Sequence, residues 1–271
     1  MNDFEYAFTI KFGNVITNDF YYKFQRYALV ILKPECLKTN KAYFAINILK
    51  NLNYMPIYIS LKTMSQIETI SLWKNQWKEA TIPRVLLNCV AANWGESAIM
   101  ILRDMNNINR DSCEYLNSLK GNSTDCAGNN EYIRGKLGTI NNFLNFIHCA
   151  DNTAEMIREL ILLFDFKEII ELIRIIDNEV YLSEKDIKKK FAGKLDNCKL
   201  GNIDNYFDSF LALFNNESQN IEELNLYEQL QNAKLKQEIS SDLFFSLYKN
   251  DKINWSWENL VLFTSLTNFI D

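Results

Sequence analysis

Short apolar runs alternate with amphipathic segments along the first 166 residues, and this alternation predicts strands separated by helices. Residues 27–32 are an unbroken apolar run that ends at Lys33-Pro34. Such a run is typical of a strand buried on both faces, and the proline nitrogen prevents further sheet pairing. Four strands are expected in this part of the chain: residues 27–32, 55–61, 97–102 and 143–147.

Between these strands the apolar side chains recur every three to four residues, which is the spacing of one face of a helix. The stretch from Ser65 to Glu68 has the spacing of a capping box and predicts the start of a helix. Other helices are expected at residues 40–52, 84–93 and 152–164. The order of elements favours an α+β fold, a ferredoxin-like antiparallel sheet with packed helices.

The remaining parts of the chain have different patterns. Residues 4–12 alternate aromatic and polar side chains before a turn signal at Gly13-Asn14, so residues 1–26 are predicted to form a strand or hairpin extension whose returning strand spans 15–24. Residues 104–142 are polar and irregular. From residue 167 onwards the spacing is uniformly helical. We therefore expect an extension over 1–26, a mixed domain over 27–166 and an all-helical C-terminal domain over 167–271.

Composition narrows the classes of protein that this chain can represent. A hydrophobic content of 48% suits a soluble core, and a net charge of −5 lacks the basic excess of a nucleic-acid-binding domain. No apolar stretch approaches the roughly 20 residues that cross a bilayer, and no secretory leader pattern opens the sequence. The six cysteines form no C-x-x-C pair, which argues against zinc. We expect a cytoplasmic protein with reduced thiols.

Two candidate functional residues stand at the ends of predicted strands. His148 is the only histidine of the chain and follows the fourth predicted strand. A single histidine is more often a packed or surface residue than a catalytic one, since imidazole has many roles. Lys33 at the end of the first strand could likewise be a surface lysine whose stem covers apolar neighbours. Neither residue decides the function alone.

Four short motifs resemble those of the nucleoside diphosphate kinase family, in the same order and near the same spacing. Leu32-Lys33-Pro34-Glu35 is similar to the family's isoleucine-lysine-proline-aspartate, and Ile133-Arg134-Gly135 to its threonine-isoleucine-arginine-glycine. Asn145-x-Ile147-His148-x-x-Asp151 resembles asparagine-x-isoleucine-histidine-glycine-serine-aspartate. Glu159 stands where the family keeps a glutamate. The resemblance covers residues 27–166 and leaves the helical extension unmatched.

The resemblance implies a phosphotransferase that moves the γ-phosphate of a nucleoside triphosphate to an acceptor nucleotide through a phosphohistidine. His148 would be the nucleophile and Glu159 the carboxylate that orients its ring. Lys33 and Arg134 would hold phosphate oxygens. Mg²⁺ would arrive as a cofactor with the triphosphate rather than in a protein cage.

The resemblance also assigns residues that surround the phosphates. Ser123 would contact phosphate, Asn145 would contact the sugar, and an aromatic side chain near Trp73 would help to bind the base. Asn117 stands where the family has a second phosphate-binding arginine, and Arg103 or Arg110 are candidates to replace it. That departure would remove a charge-assisted hydrogen bond worth about 1.5–3 kcal/mol.

Three functional hypotheses remain open from the sequence. The first is the phosphotransferase, with nucleoside tri- and diphosphates as partners and neither nucleic acid nor membrane. The second is a nucleotide-binding regulatory or adaptor module with weak or no turnover, whose helical domain binds a partner. The third is an unrelated α/β protein, because motif matches carry false positives. The family forms closed oligomers, and the sequence leaves open whether this chain forms a homo-oligomer.

Overall fold

A computed structural model describes residues 18–78, 80–106, 109–123, 129–214, 221–250 and 253–266. The strands are β1 Tyr27–Leu32, β2 Tyr54–Lys62, β3 Ser97–Asp104 and β4 Ile147–Cys149. The helices up to the end of the sheet are α1 Asn18–Phe24, α2 Pro34–Lys38, α3 Ala42–Asn51, α4 Gln66–Leu72, α5 Ile82–Asn93, α6 Ser112–Lys120 and α7 Ile133–Leu137. Those that follow are α8 Thr153–Leu163, α9 Phe166–Asp177, α10 Glu184–Phe191, α11 Ile203–Ala212, α12 Ile221–Lys236, α13 Ser241–Tyr248 and α14 Trp257–Leu266.

The four strands form one antiparallel sheet in the order β2-β3-β1-β4. Every residue of β1 is buried, which explains its unbroken apolar run. Helix α3 packs on β2, while α6 and α8 pack on β1. The predicted ferredoxin-like sheet with packed helices is therefore confirmed, and the capping box predicted at Ser65 is present.

Two predictions about local structure were wrong. The returning strand expected at residues 15–24 is helix α1 from Asn18 onwards, and the strand expected at 4–12 lies outside the described residues. The fourth strand begins at Ile147 rather than at Phe143. Phe146 has a left-handed backbone (φ 67°) that cannot continue a strand, and its amide donates to the buried Glu35 carboxylate over 2.9 Å.

Residues 104–142 contain more regular structure than their polar composition indicates. Asp111 caps the N-terminus of α6, and its side chain accepts hydrogen bonds from the amides of Cys113 and Glu114. Its buried face brings Cys113 and Leu116 into the core. The irregular segment thus contributes a helix that packs directly behind β1 and β4.

The helical extension contributes to two hydrophobic cores. Ile169, Leu172 and Phe191 share the core of the sheet, so α9 and α10 complete that domain. A second core contains Phe207 and the buried side of α14. The sequence pattern becomes uniformly helical near residue 166, but α9 and α10 beyond that point still belong to the core of the sheet. Among the described residues, no helix combines the length and apolarity needed to cross a bilayer.

The segment that joins α7 to β4 lies between the two cores. Phe143 and Leu144 belong to the second core together with residues of α5. Asn141 donates hydrogen bonds to Thr264 over 3.0 Å and to Ser265 over 3.2 Å, both on α14. The helical extension therefore holds the backbone that leads into β4.

Candidate active site

His148 is the middle residue of β4 and pairs with Ile31 of the central strand. Its side chain is almost fully buried, with 8% of its surface exposed. The ring nitrogen Nε2 lies 2.9 Å from Oε1 of Glu159. Ile147 and Cys149, the residues on either side of His148, also pair with β1. The backbone that carries the imidazole is therefore held in the sheet.

Glu159 lies on the inner face of α8. Asn152 caps the N-terminus of this helix, because its side chain accepts a hydrogen bond from the amide of Glu155. The carboxylate of Glu159 is buried, at 2% exposure. Arg158 is 3.9 Å from the same oxygen, but its hydrogen bonds go to Glu155 and to two backbone carbonyls of α4. Glu159 therefore directs its short contact to His148 rather than to a surface cation.

Trp73 contacts the other ring nitrogen of His148. Its indole N–H donates to Nδ1 over 3.3 Å, and the two rings meet edge to face. An acceptor at Nδ1 requires the proton on Nε2, which then donates to Glu159. Together the two neighbours select the neutral tautomer with its lone pair on Nδ1. Trp73 is 7% exposed, so it contacts the imidazole and offers little ring surface to a base.

Lys33 follows β1 and turns its ammonium inward. The ammonium donates to the carbonyl of Phe143 and to Oδ1 of Asn145, the latter over 3.2 Å, and lies 3.4 Å from Glu35. It also lies 5.9 Å from the centre of the ring of Trp73, the residue that donates to Nδ1 of His148. Burial lowers the pKa of Lys33, with Glu35 acting in the opposite direction.

Arg134 approaches the same point from α7. Its guanidinium donates to Oδ1 of Asn145 over 3.3 Å and to the carbonyl of Ile147 over 3.1 Å. Asn145 therefore connects Arg134 with Lys33 through one amide oxygen. The two cations predicted to bind phosphate lie together, one residue away from the histidine backbone.

Lys120 is a third cation of this region that the sequence analysis did not single out. It ends α6 and is 9% exposed. Burial lowers its pKa, and the neighbouring Arg134 lowers it further. Assignment of a helix to residues 112–120 would have identified Lys120, because this residue lies about one helical turn after Asn117.

The other predicted residues have varied surroundings. Asn117 donates to the Asp151 carboxylate over 3.1 Å, so its amide faces the loop that follows β4. Ser123 lies three residues beyond α6, next to a segment outside the described residues. Arg103 and Arg110 do not replace the missing arginine: Arg103 pairs with Tyr27 at the far end of β1, and Arg110 lies 3.5 Å from Asp104.

The charges of the site suit an anion better than a metal ion. Lys33 and Arg134 share the amide oxygen of Asn145, and Lys120 interacts electrostatically with both, while the Glu159 and Glu35 carboxylates contact His148 and Lys33. The described residues contain no cluster of three or more side chains able to hold a metal. A magnesium ion here would be held mainly by phosphate oxygens and water.

Comparison with solved structures returns nucleoside diphosphate kinases. The enzyme of Aquifex aeolicus matches 53% of this chain and 97% of its own, with 14% identity and a TM-score of 0.44. That of Halobacterium salinarum, solved in complex with CDP, matches 52% of this chain and 89% of its own, with 17% identity and a TM-score of 0.43. No protein-family model matches the sequence, and no curated protein matches it.

Proposed function

We propose that this protein is a nucleotide phosphotransferase in which Nδ1 of His148 accepts the γ-phosphoryl group of a nucleoside triphosphate and passes it to an acceptor nucleoside diphosphate. The observation that carries the proposal is the contact of 2.9 Å between Glu159 and Nε2 of the chain's single histidine. This contact directs the Nε2 proton to Glu159 and leaves the ring lone pair on Nδ1, which accepts from the Trp73 indole and becomes the nucleophile once that hydrogen bond opens.

The first half-reaction forms one bond and breaks one. The Nδ1 lone pair attacks the γ-phosphorus, and the bond to the bridging oxygen breaks with its electron pair leaving on the nucleoside diphosphate. The ring then bears positive charge, which the Glu159 carboxylate stabilises through the Nε2 proton. In the second half-reaction, a terminal oxygen of the acceptor attacks the phosphorus and the electron pair of the P–N bond returns to Nδ1.

The surrounding side chains have distinct roles in this scheme. Lys33 and Arg134 exchange their protein acceptors for phosphate oxygens, because charge-assisted bonds to phosphate are stronger than bonds to neutral carbonyls. The Trp73 indole withdraws from Nδ1 as phosphorus approaches and can donate to a phosphoryl oxygen afterwards. Mg²⁺ carried by the triphosphate would supply neutralisation of the charge on the leaving diphosphate. Ser123 and Asn145 remain assigned to phosphate and sugar as part of this proposal.

Labelling with γ-³²P-ATP tests the proposal. We expect one label per chain that is lost in acid and kept in base, because phosphohistidine is acid-labile. Mass spectrometry at alkaline pH should locate it on His148. His148→Asn should abolish the label while circular dichroism and the melting temperature show a folded protein. Chase with a nucleoside diphosphate should move the label to the corresponding triphosphate.

The alternative of a nucleotide-binding regulatory module is favoured by one observation. Lys33 and Arg134 already bind protein oxygens in this structure, so a nucleotide must displace those contacts. The same experiment separates the two functions. Tight ATP binding without any acid-labile label would refute phosphotransfer and leave the regulatory module. An acid-stable label that survives His148→Asn would refute the histidine mechanism.

A further inference from the structure

Lys120 combines burial with the absence of a protein partner. The residue is 9% exposed, and no hydrogen bond or ion pair joins its ammonium to any residue within the described parts of the chain. The ammonium nitrogen is not among the fully buried side-chain atoms that lack a partner, so its tip reaches solvent while its stem is buried. A cation held at this place without a protein acceptor still needs a reason for its position.

The position of Lys120 relative to the site supplies that reason. The next residue, Gly121, accepts a hydrogen bond of 2.9 Å from Arg134 through its carbonyl. The end of α6 is thus joined directly to the guanidinium predicted to hold phosphate. The ammonium interacts electrostatically with Arg134, Asp151 and Glu159. Lys120 in turn lowers the pKa of Lys33.

The three cations differ in how far their donors are engaged. Lys33 binds Phe143 and Asn145, and Arg134 binds Gly121, Asn145 and Ile147. Lys120 alone of the three has no acceptor among the residues that the structure describes. An entering polyphosphate would find this ammonium without having to break a protein hydrogen bond.

We infer that Lys120 binds a phosphate group of the polyphosphate ligand, as a third cation beside Lys33 and Arg134. This inference rests on the proposed function for the identity of the ligand. It differs from the simpler explanation that Lys120 only interacts with the C-terminal dipole of α6. A lysine at a helix end stabilises the protein through that dipole with or without ligand, whereas a lysine that binds phosphate contributes to the affinity for the ligand.

Two substitutions distinguish these explanations. Lys120→Met keeps most of the stem volume and removes the charge, and Lys120→Arg keeps the charge. Lys136→Met on α7 is the matched control, because Lys136 is an exposed lysine of the same region. Isothermal titration with inorganic triphosphate, with ATP and with adenosine measures binding without requiring turnover.

We expect Lys120→Met to weaken triphosphate and ATP binding about 10- to 100-fold, the range of one lost charge-assisted hydrogen bond. Adenosine binding should not change. Lys120→Arg should retain most of the affinity, and Lys136→Met should retain all of it. Unchanged triphosphate binding in Lys120→Met overturns the inference.

A second measurement decides the matter if Lys120→Met does not fold. Amine acylation of the unaltered protein, followed by mass spectrometry, should show Lys120 protected by triphosphate while Lys136 is modified at the same rate with and without ligand. Equal acylation of Lys120 in both conditions overturns the inference. Triphosphate binding through Lys120 without phosphohistidine would refute the proposed function alone. A wild-type protein that binds neither triphosphate nor ATP would refute both.

Discussion

The carboxylate of Glu159 provides the sharpest test of how the histidine is activated. Glu159→Gln keeps the volume of the side chain and an oxygen that can accept from Nε2, but it removes the negative charge. The contact to be perturbed is 2.9 Å long and lies between two nearly buried side chains. Little solvent is present to screen the change, so the loss of charge should reach the reacting ring almost undiminished.

The magnitude follows from the type of hydrogen bond. A bond to an ionised group contributes about 1.5–3 kcal/mol, and a neutral bond about 0.5–1.5 kcal/mol. The difference applies mainly to the transition state, where the ring gains positive charge. A loss near 1.4 kcal/mol raises the barrier enough to slow phosphorylation about ten-fold. The melting temperature should change little, because the second oxygen of Glu159 has no hydrogen bond to lose among the described residues.

Rapid-quench measurement of acid-labile label at saturating ATP determines this rate in a single turnover. Glu155→Gln is the matched control, since Glu155 lies on the same helix and binds Arg158 instead of the histidine. We expect the control to phosphorylate at the wild-type rate with unaltered ATP affinity. A wild-type rate in Glu159→Gln would show that the carboxylate does not assist His148. An equal loss in both variants would point to a general effect of charge on α8.

Two further predictions concern the phosphate site and its support. Lys33→Ala and Arg134→Ala should each weaken ATP binding at least ten-fold while adenosine binding falls much less, because only the phosphates need positive charge; equal losses in isothermal titration would mean that both residues merely maintain the fold. Asn141→Ala removes two hydrogen bonds to α14 and two that its side-chain oxygen accepts from the amides of Phe143 and Leu144, worth about 2–6 kcal/mol together. It should lower the melting temperature and the affinity for ATP, and a binding constant equal to wild type would show that the support is not transmitted to Asn145.

The sequence predicted the central part of the fold because the relevant signals are local. The apolar run of β1, the capping box of α4 and the Asn152 cap of α8 depend on residues close in the chain. The register between His148 and Glu159 also followed, since a helix beginning near residue 152 directs position 159 towards the preceding strand. The contact of these two side chains is present in the structure.

The errors arose where tertiary contacts override local preference. Residues 143–146 are apolar enough for a strand, but Phe143 turns into the second core and Phe146 takes a left-handed backbone fixed by Glu35. The contact between Phe146 and Glu35 joins residues 111 positions apart, so no short pattern indicates it. Lys120 was missed because the polar composition of 104–142 concealed the amphipathic period of α6.

The anchoring of Asn141 by α14 has a consequence for the order in which the molecule is completed during synthesis. Thr264 follows Asn141 by 123 positions, so the ribosome makes the sheet, the histidine and α8 well before it makes this anchor. A nascent chain can therefore pair its strands and bury His148 while the loop carrying Asn145 still lacks the hydrogen bonds between Asn141 and α14. Under the proposed function, completion of the phosphate site follows synthesis of α14 and closure of the second core.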